Sequence, residues 1–146
     1  MRKMLVIGNV LGIIVILLFI IQPFSTAPPT PKVTSGETVI PVTEGSYCWD
    51  GPFSGKCVDK KYSSIVAMAG EEQSASVAPG ENVTVTFKKQ PKKMVAEQWV
   101  GDSHVETVEV KDHSIVVPEK EGIYVYHLVA HWKQGDGSYV FSVKVK

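Results

Sequence analysis

The 146-residue sequence has little of what catalysis needs. No Gly-x-Ser-x-Gly elbow, no Ser-x-x-Lys pair and no Gly-rich phosphate loop occurs in it, which removes the common nucleophile and nucleotide frameworks. Its only two cysteines, Cys48 and Cys57, leave no thiol for nucleophilic or redox work once they pair. Net charge is absent too: fifteen basic residues face fifteen acidic ones, and without Arg2 and Lys3 the balance is thirteen against fifteen, so nothing favours nucleic acid as a partner. The four histidines make no ligand set. His127 and His131 share a face of a predicted strand but stand ~13 Å apart at strand rise, too far for one ion, and His104 and His113 are isolated. Carboxylates at Glu71-Glu72 and Glu119/Glu121 lie in polar, Gly-flanked stretches that read as solvated surface. No catalytic residue, metal or cofactor is expected, and the chain is not expected to be an enzyme.

What the sequence does have is one long apolar run. Met4 to Ile21 is eighteen residues without a charge, and as a helix it reaches ~27 Å, close to the hydrocarbon thickness of a bilayer. Arg2 and Lys3 precede it and no basic residue follows until Lys32, so the positive-inside rule sets the N-terminus in the cytoplasm and the rest outside. A cleaved signal peptide is the rival reading. An uncleaved anchor is preferred because the run exceeds the usual signal core and because the small-x-small site Ser25-Thr26-Ala27 is followed by Pro28. No cysteine directly follows the run, so a lipid anchor of that type is excluded. Either way the C-terminal part is exported, as a single-pass membrane protein or, after cleavage, as a secreted one.

The prolines at positions 23, 28, 29 and 31 then predict an extended stalk. The domain plan is a cytoplasmic tip and transmembrane anchor over 1–22, a Pro-rich stalk over 23–36 and an extracytoplasmic β-sandwich over 37–146.

Beyond the stalk, alternation replaces the apolar run. Val83, Val85 and Phe87 alternate with polar residues across Glu81 to Lys88, and Tyr139, Phe141, Val143 and Val145 do so to the C-terminus. Gly122 to Trp132 is apolar at nearly every position, as a central strand is, and Gln134 to Gly137 is the predicted turn to the last strand. Weaker strands are predicted at Glu37 to Val42, Tyr47 to Trp49, Val95 to Val100, Val105 to Lys111 and Ser114 to Val117, with turns at Gly101-Asp102 and Lys111-Asp112. No amphipathic helix is visible outside the membrane segment, and no internal repeat. The fold class is therefore all-β, an immunoglobulin-like antiparallel β-sandwich preceded by one N-terminal transmembrane helix. Gly122-x-Tyr124-x-Tyr126 suits a tyrosine corner, a buried phenol satisfying a backbone group across the sandwich.

Three features are candidates for binding. Cys48 and Cys57 are expected to form a disulfide, since both lie on the exported side and Gly51-Pro52 and Gly55 let the intervening eight residues fold as a hairpin. They are too close in sequence to bridge two sheets. Trp49 and Asp50, held in that hairpin, are candidate contact residues, with Trp49 as a surface anchor. Lys88, Lys89, Lys92 and Lys93 form the densest charge cluster, a solvated turn or a contact for an anionic envelope polymer or lipid head groups. Most other aromatics are assigned to the core.

Gly45-Ser46-Tyr47-Cys48-Trp49, Cys57-Val58-Asp59, Val77-Ala78-Pro79-Gly80-Glu81 and Gly122-Ile123-Tyr124-Val125-Tyr126 resemble segments of small exported proteins of Gram-positive spore-forming bacteria, over Gly45 to the C-terminus. That resemblance implies an exported immunoglobulin-like domain and carries over no catalytic or ligand-binding residue. The functional expectation is a membrane-tethered interaction or structural module that binds a protein or cell-envelope component. The alternative is an extracytoplasmic inhibitor or sensor-associated domain that presents the Cys48–Cys57 loop.

Overall fold

A computed structural model describes residues 2–21, 26–52, 54–70, 74–101 and 104–146, with side chains of the first helix described over 6–17 and only the backbone of His104. Helix α1 spans Arg2–Ile21. Among the described residues, no helix is long and apolar enough to cross a membrane.

The rest is all-β, two sheets packed face to face. The smaller contains β1 (Lys32–Ser35), β2 (Thr38–Ile40), β6 (Asn82–Thr86) and β9 (Ser114–Val116), in the order β2-β1-β6-β9. The larger contains β3 (Thr43–Asp50), β4 (Gly55–Val58), β5 (Ala75–Val77), β7 (Lys93–Val100), β8 (His104–Val108), β10 (Gly122–His131) and β11 (Gly135–Val145). Its order is β4-β3-β11-β10-β7-β8, with β5 added in parallel to the C-terminal part of β11; every other pairing is antiparallel.

The inward rows are those that period two predicts. Val83, Val85 and Phe87 from one sheet meet Tyr126, Leu128, Tyr139, Phe141 and Val143 from the other, all buried. Each such side chain contributes ~1.5–3 kcal/mol by leaving water. Every strand predicted from alternation is present; three more appear, at β1, β4 and β5.

Four expectations need correction. The stalk does not extend to residue 36: Pro31 is buried, Val33 is fully buried, and β1 pairs with both β2 and β6. Extended proline-rich backbone suits a sandwich seam as well as a free spacer, so composition alone misplaces the boundary. Residues 23–25, the first part of that stalk, lie outside the described residues, as do Gln22 at the end of the predicted anchor, Glu71, Glu72 and Asp102.

The turn between β10 and β11 falls before Gly135, because β11 already starts there. Gly135 has φ +149° and sits so close to β3 that a Cβ would lie 2.0 Å from the Cys48 carbonyl oxygen, so glycine is required by backbone approach.

A short helix also lies outside the first segment: α2 (Ile65–Ala69), whose N-cap Ser64 accepts from the Ala67 N–H at 3.0 Å. Five residues are too few to show a helical period. Met68 and Ala69 cover Val125 and Val140 on the outer face of the larger sheet.

Finally, the phenol at the head of β10 bonds locally and not across the sandwich: Tyr124 Oη donates to the Lys120 carbonyl at 2.9 Å, four residues upstream.

Candidate binding surfaces

The register of the strands gathers the loops into two opposed ends. At one end, β10 closes onto the loop between β6 and β7: the Lys92 N–H donates to the His131 carbonyl at 2.7 Å, and Trp132 Nε1 donates to the Lys89 carbonyl at 2.8 Å. Gln90 Nε2 donates to the Phe87 carbonyl at 3.2 Å within the same loop. Lys88, Lys89, Lys92 and Lys93 are thus displayed by a pinned loop and are all exposed. Beneath it runs a series of edge-to-face rings, Trp49 to Trp132 at 5.5 Å, Trp132 to Phe87 at 5.1 Å and Phe87 to Tyr139 at 5.5 Å.

The disulfide expected from sequence is formed, between Cys48 and Cys57, which lie directly opposite each other in β3 and β4. Both are exposed, and the Gly51 N–H closes the hairpin onto the Ser54 carbonyl at 3.0 Å. The hairpin is joined to the basic end, since the Asp50 N–H donates to the Gln134 carbonyl at 2.7 Å. Asp50 is exposed, as a contact residue has to be. Trp49 is not: it is 4% exposed and packs on Trp132. Alternation explains this correction, because Cys48 and Asp50 face out and the residue between them must face the core.

A third surface escaped sequence reasoning. The outer face of the larger sheet carries Val129 beside Val95, His127 beside Glu97 and His131 beside Lys93 and Asp136, all cross-strand pairs and half-buried apart from exposed Lys93. His127 Nδ1 lies 3.2 Å from Glu97 Oε2. The near-continuous apolar run of β10 hides this face, since it makes Val125 and Val129 look like core. The only signal was that His127 and His131 share a side. Next to this strip, α2, β10 and β11 border an open pocket of about 130 Å³, lined by Val66, Ala69, Gly70, Ile123, Val125 and Ser142 among others. Trp99 Nε1, packed against the same cluster, is buried without a hydrogen-bond partner among the described residues.

Electrostatics separate the ends further. Lys32 pairs with Thr86 and Lys133 sits in the β10–β11 turn, so both join the lysine loop. At the opposite end, the turns at 36–37, 78–81 and 118–122 bring together Glu37, Glu81, Glu119 and Glu121 with Lys120. Their closeness is direct: the Gly80 N–H donates to the Pro118 carbonyl at 3.4 Å and the Val117 N–H to the Glu81 carbonyl at 3.0 Å. Between the ends, burial pushes the phenols of Tyr126 and Tyr139 above the ordinary tyrosine value, with smaller contributions from Tyr124 and Glu44 respectively. Tyr126 Oη donates to Gln98 Oε1 at 2.9 Å and Tyr139 Oη to the Pro29 carbonyl at 2.8 Å.

Among the described residues, no group of three or more His, Cys, Asp or Glu side chains is placed to hold a metal ion. No protein-family profile, curated protein or solved structure matches the chain.

Proposed function

We propose that the chain is a membrane-tethered, non-enzymatic interaction module: its apolar N-terminal helix holds an immunoglobulin-like sandwich outside the cytoplasmic membrane, where the sandwich binds a protein or cell-envelope component. The observation that carries the binding role is the outer face of the larger sheet. Beside α2, along β10 and β7, it leaves a mixed strip of Val95, Val129, His127, Glu97 and His131 half-open to solvent. Broad sheet faces that pair apolar centres with polar rims are suited to protein recognition.

The tether is supported by the uncharged run from Met4 to Ile21 behind Arg2 and Lys3. Support also comes from nine apolar side chains between Val6 and Leu17 that are 46–66% exposed and point all round the helix, a distribution that suits lipid. The immunoglobulin-like assignment rests on strand order. β1-β6-β9 follows the A-B-E order of that fold and β11-β10-β7-β8 the G-F-C-C′ order, and Tyr124 bonds back four residues at the start of the F-like strand. On the resembling segments alone we group the chain with the small exported proteins of spore-forming Gram-positive bacteria; two of those segments fall on the disulfide strand β3 and at the Tyr124 corner.

A second reading, an inhibitor or sensor-associated domain presenting the Cys48–Cys57 loop, is favoured by one observation: the hairpin stands at the edge of the larger sheet with both cysteines exposed.

A photoreactive residue replacing His127, Val116 or Lys56 in full chain exported by intact bacterial cells tests both. A discrete adduct from position 127 and none from Val116, which is exposed on the other sheet, is the expected result. Adducts confined to Lys56 favour the hairpin, and none above background at any position overturns the binding role.

A further inference from the structure

We infer that the lysine-rich end of the sandwich docks on the anionic lipid headgroups of the membrane, holding the domain upright with its acidic end outward. This rests on the tether reading above. Lys32, Lys88, Lys89, Lys92, Lys93 and Lys133 converge at one end and all six are exposed. The carboxylates at that end are Asp50, Asp112 and half-buried Asp136, so six lysines face three carboxylates there although the whole chain is neutral. The opposite end carries Glu37, Glu81, Glu119 and Glu121 against Lys120, Lys144 and Lys146, so the charge excess changes sign along the strands.

The chain joins the sandwich at the basic end. Tyr139 Oη holds the Pro29 carbonyl at 2.8 Å, a Cβ on Gly137 would lie 3.0 Å from Pro28, and Thr30 Oγ1 bonds Glu44, so the segment is fixed from Pro28 onward. Five residues, Gln22 to Thr26, separate the end of α1 from Ala27. Fully extended, they span at most ~22 Å, so a helix ending at the bilayer surface keeps this end of the domain within reach of the headgroups. The loop that displays the four clustered lysines is pinned by Trp132 and His131, so little ordering is lost on contact. Phosphate-bearing headgroups attract such residues additively and within a Debye length of the surface.

The test uses the full chain in vesicles of phosphatidylcholine, alone or with about one-third phosphatidylglycerol, treated with a membrane-impermeant amine-acylating reagent and read residue by residue by mass spectrometry. On anionic vesicles Lys88, Lys89, Lys92 and Lys93 are expected to react at least about fivefold more slowly than on neutral ones, with Lys120 and Lys146 unchanged and the difference erased in about 0.5 M salt. Equal protection at the two ends, or none at the basic end, overturns the docking. Flotation separates the two levels: a chain that floats with both vesicle types yet shows no protection keeps its tether and loses its docking face. A chain that floats with neither loses both. Protection on neutral vesicles only after adding a soluble glycerol-phosphate polymer overturns lipid docking in favour of an envelope polymer. A K88Q/K89Q/K92Q/K93Q variant with unchanged thermal unfolding is expected to lose the salt-sensitive protection of Lys32 and Lys133.

Discussion

At the basic end of the sandwich, rings from Trp49 through Trp132 and Phe87 to Tyr139 fill the core, and a disulfide ties the adjoining hairpin. At the acidic end, the chain turns at Gly36, Gly80 and Gly122, and Tyr124 beside Gly122 is bonded to the Lys120 carbonyl. The first end spends bulk and covalent linkage on holding a charged loop still. The second is held by short backbone turns and the side-chain bonds of Tyr124, Glu81 and Ser35. A loop carrying four lysines repels itself, so it needs the stronger frame.

The largest break in this comparison is expected from Trp132→Ala. It removes two ring contacts and the donor to Lys89, and is expected to cost ~3–5 kcal/mol in denaturant unfolding. Protease cutting should rise in Lys88 to Lys93 before it rises at the acidic end. Reducing the disulfide, or Cys48→Ser with Cys57→Ser, opens a nine-residue separation and is expected to cost ~2–3 kcal/mol, read as a lower denaturant midpoint. Hydrogen exchange should quicken in β3 and β4 and stay unchanged at Pro118 to Gly122.

Alkali acts between the ends. Tyr126 and Tyr139 have folded pKa values raised above the unfolded value near 10, so they ionise more readily when unfolded. Their contribution is fully present below pH ~10 and falls as pH rises past it, by roughly 1 kcal/mol for each phenol at pH ~11. Absorbance titration of the five tyrosines is expected to leave two silent until the fold is lost. The smallest effect belongs to Tyr124→Phe, which deletes one hydrogen bond and is expected to cost ~0.5–1.5 kcal/mol by urea titration, confined to the acidic end.

The sandwich was legible in the residues because its strands alternate: Val83, Val85 and Phe87 declare an inner face without any help from context. The disulfide was legible as well, from an exported pair with glycines between. Where reading failed, the deciding contact was long-range or the segment too short. Beyond the local pairing of β1 with β2, Pro28 to Thr34 join the fold because Tyr139 and β6 receive them, from fifty or more residues away in sequence. Trp49 looked like an anchor because its neighbours are polar turn residues, yet its partner Trp132 lies eighty-three positions on. The outer face of the larger sheet stayed hidden for a third reason. α2 covers Val125 and Val140 while leaving Val129 half-open, and no local pattern marks where five residues of helix will lie.

The gathering of the basic loops was legible only in part. Lys88 to Lys93 stand out as a run, but Lys32 and Lys133 reach them through strand register alone. The change of sign along the strands is a property of the pairing and not of the composition, which sums to zero.

Location underlies the whole account, and protease treatment of intact bacterial cells making the full chain with a C-terminal tag tests it most directly. Added protease is expected to remove the tag from whole cells while a cytoplasmic marker survives, leaving a membrane-bound fragment that keeps Met1 to Ile21. A tag that resists digestion until the cells are lysed contradicts the account.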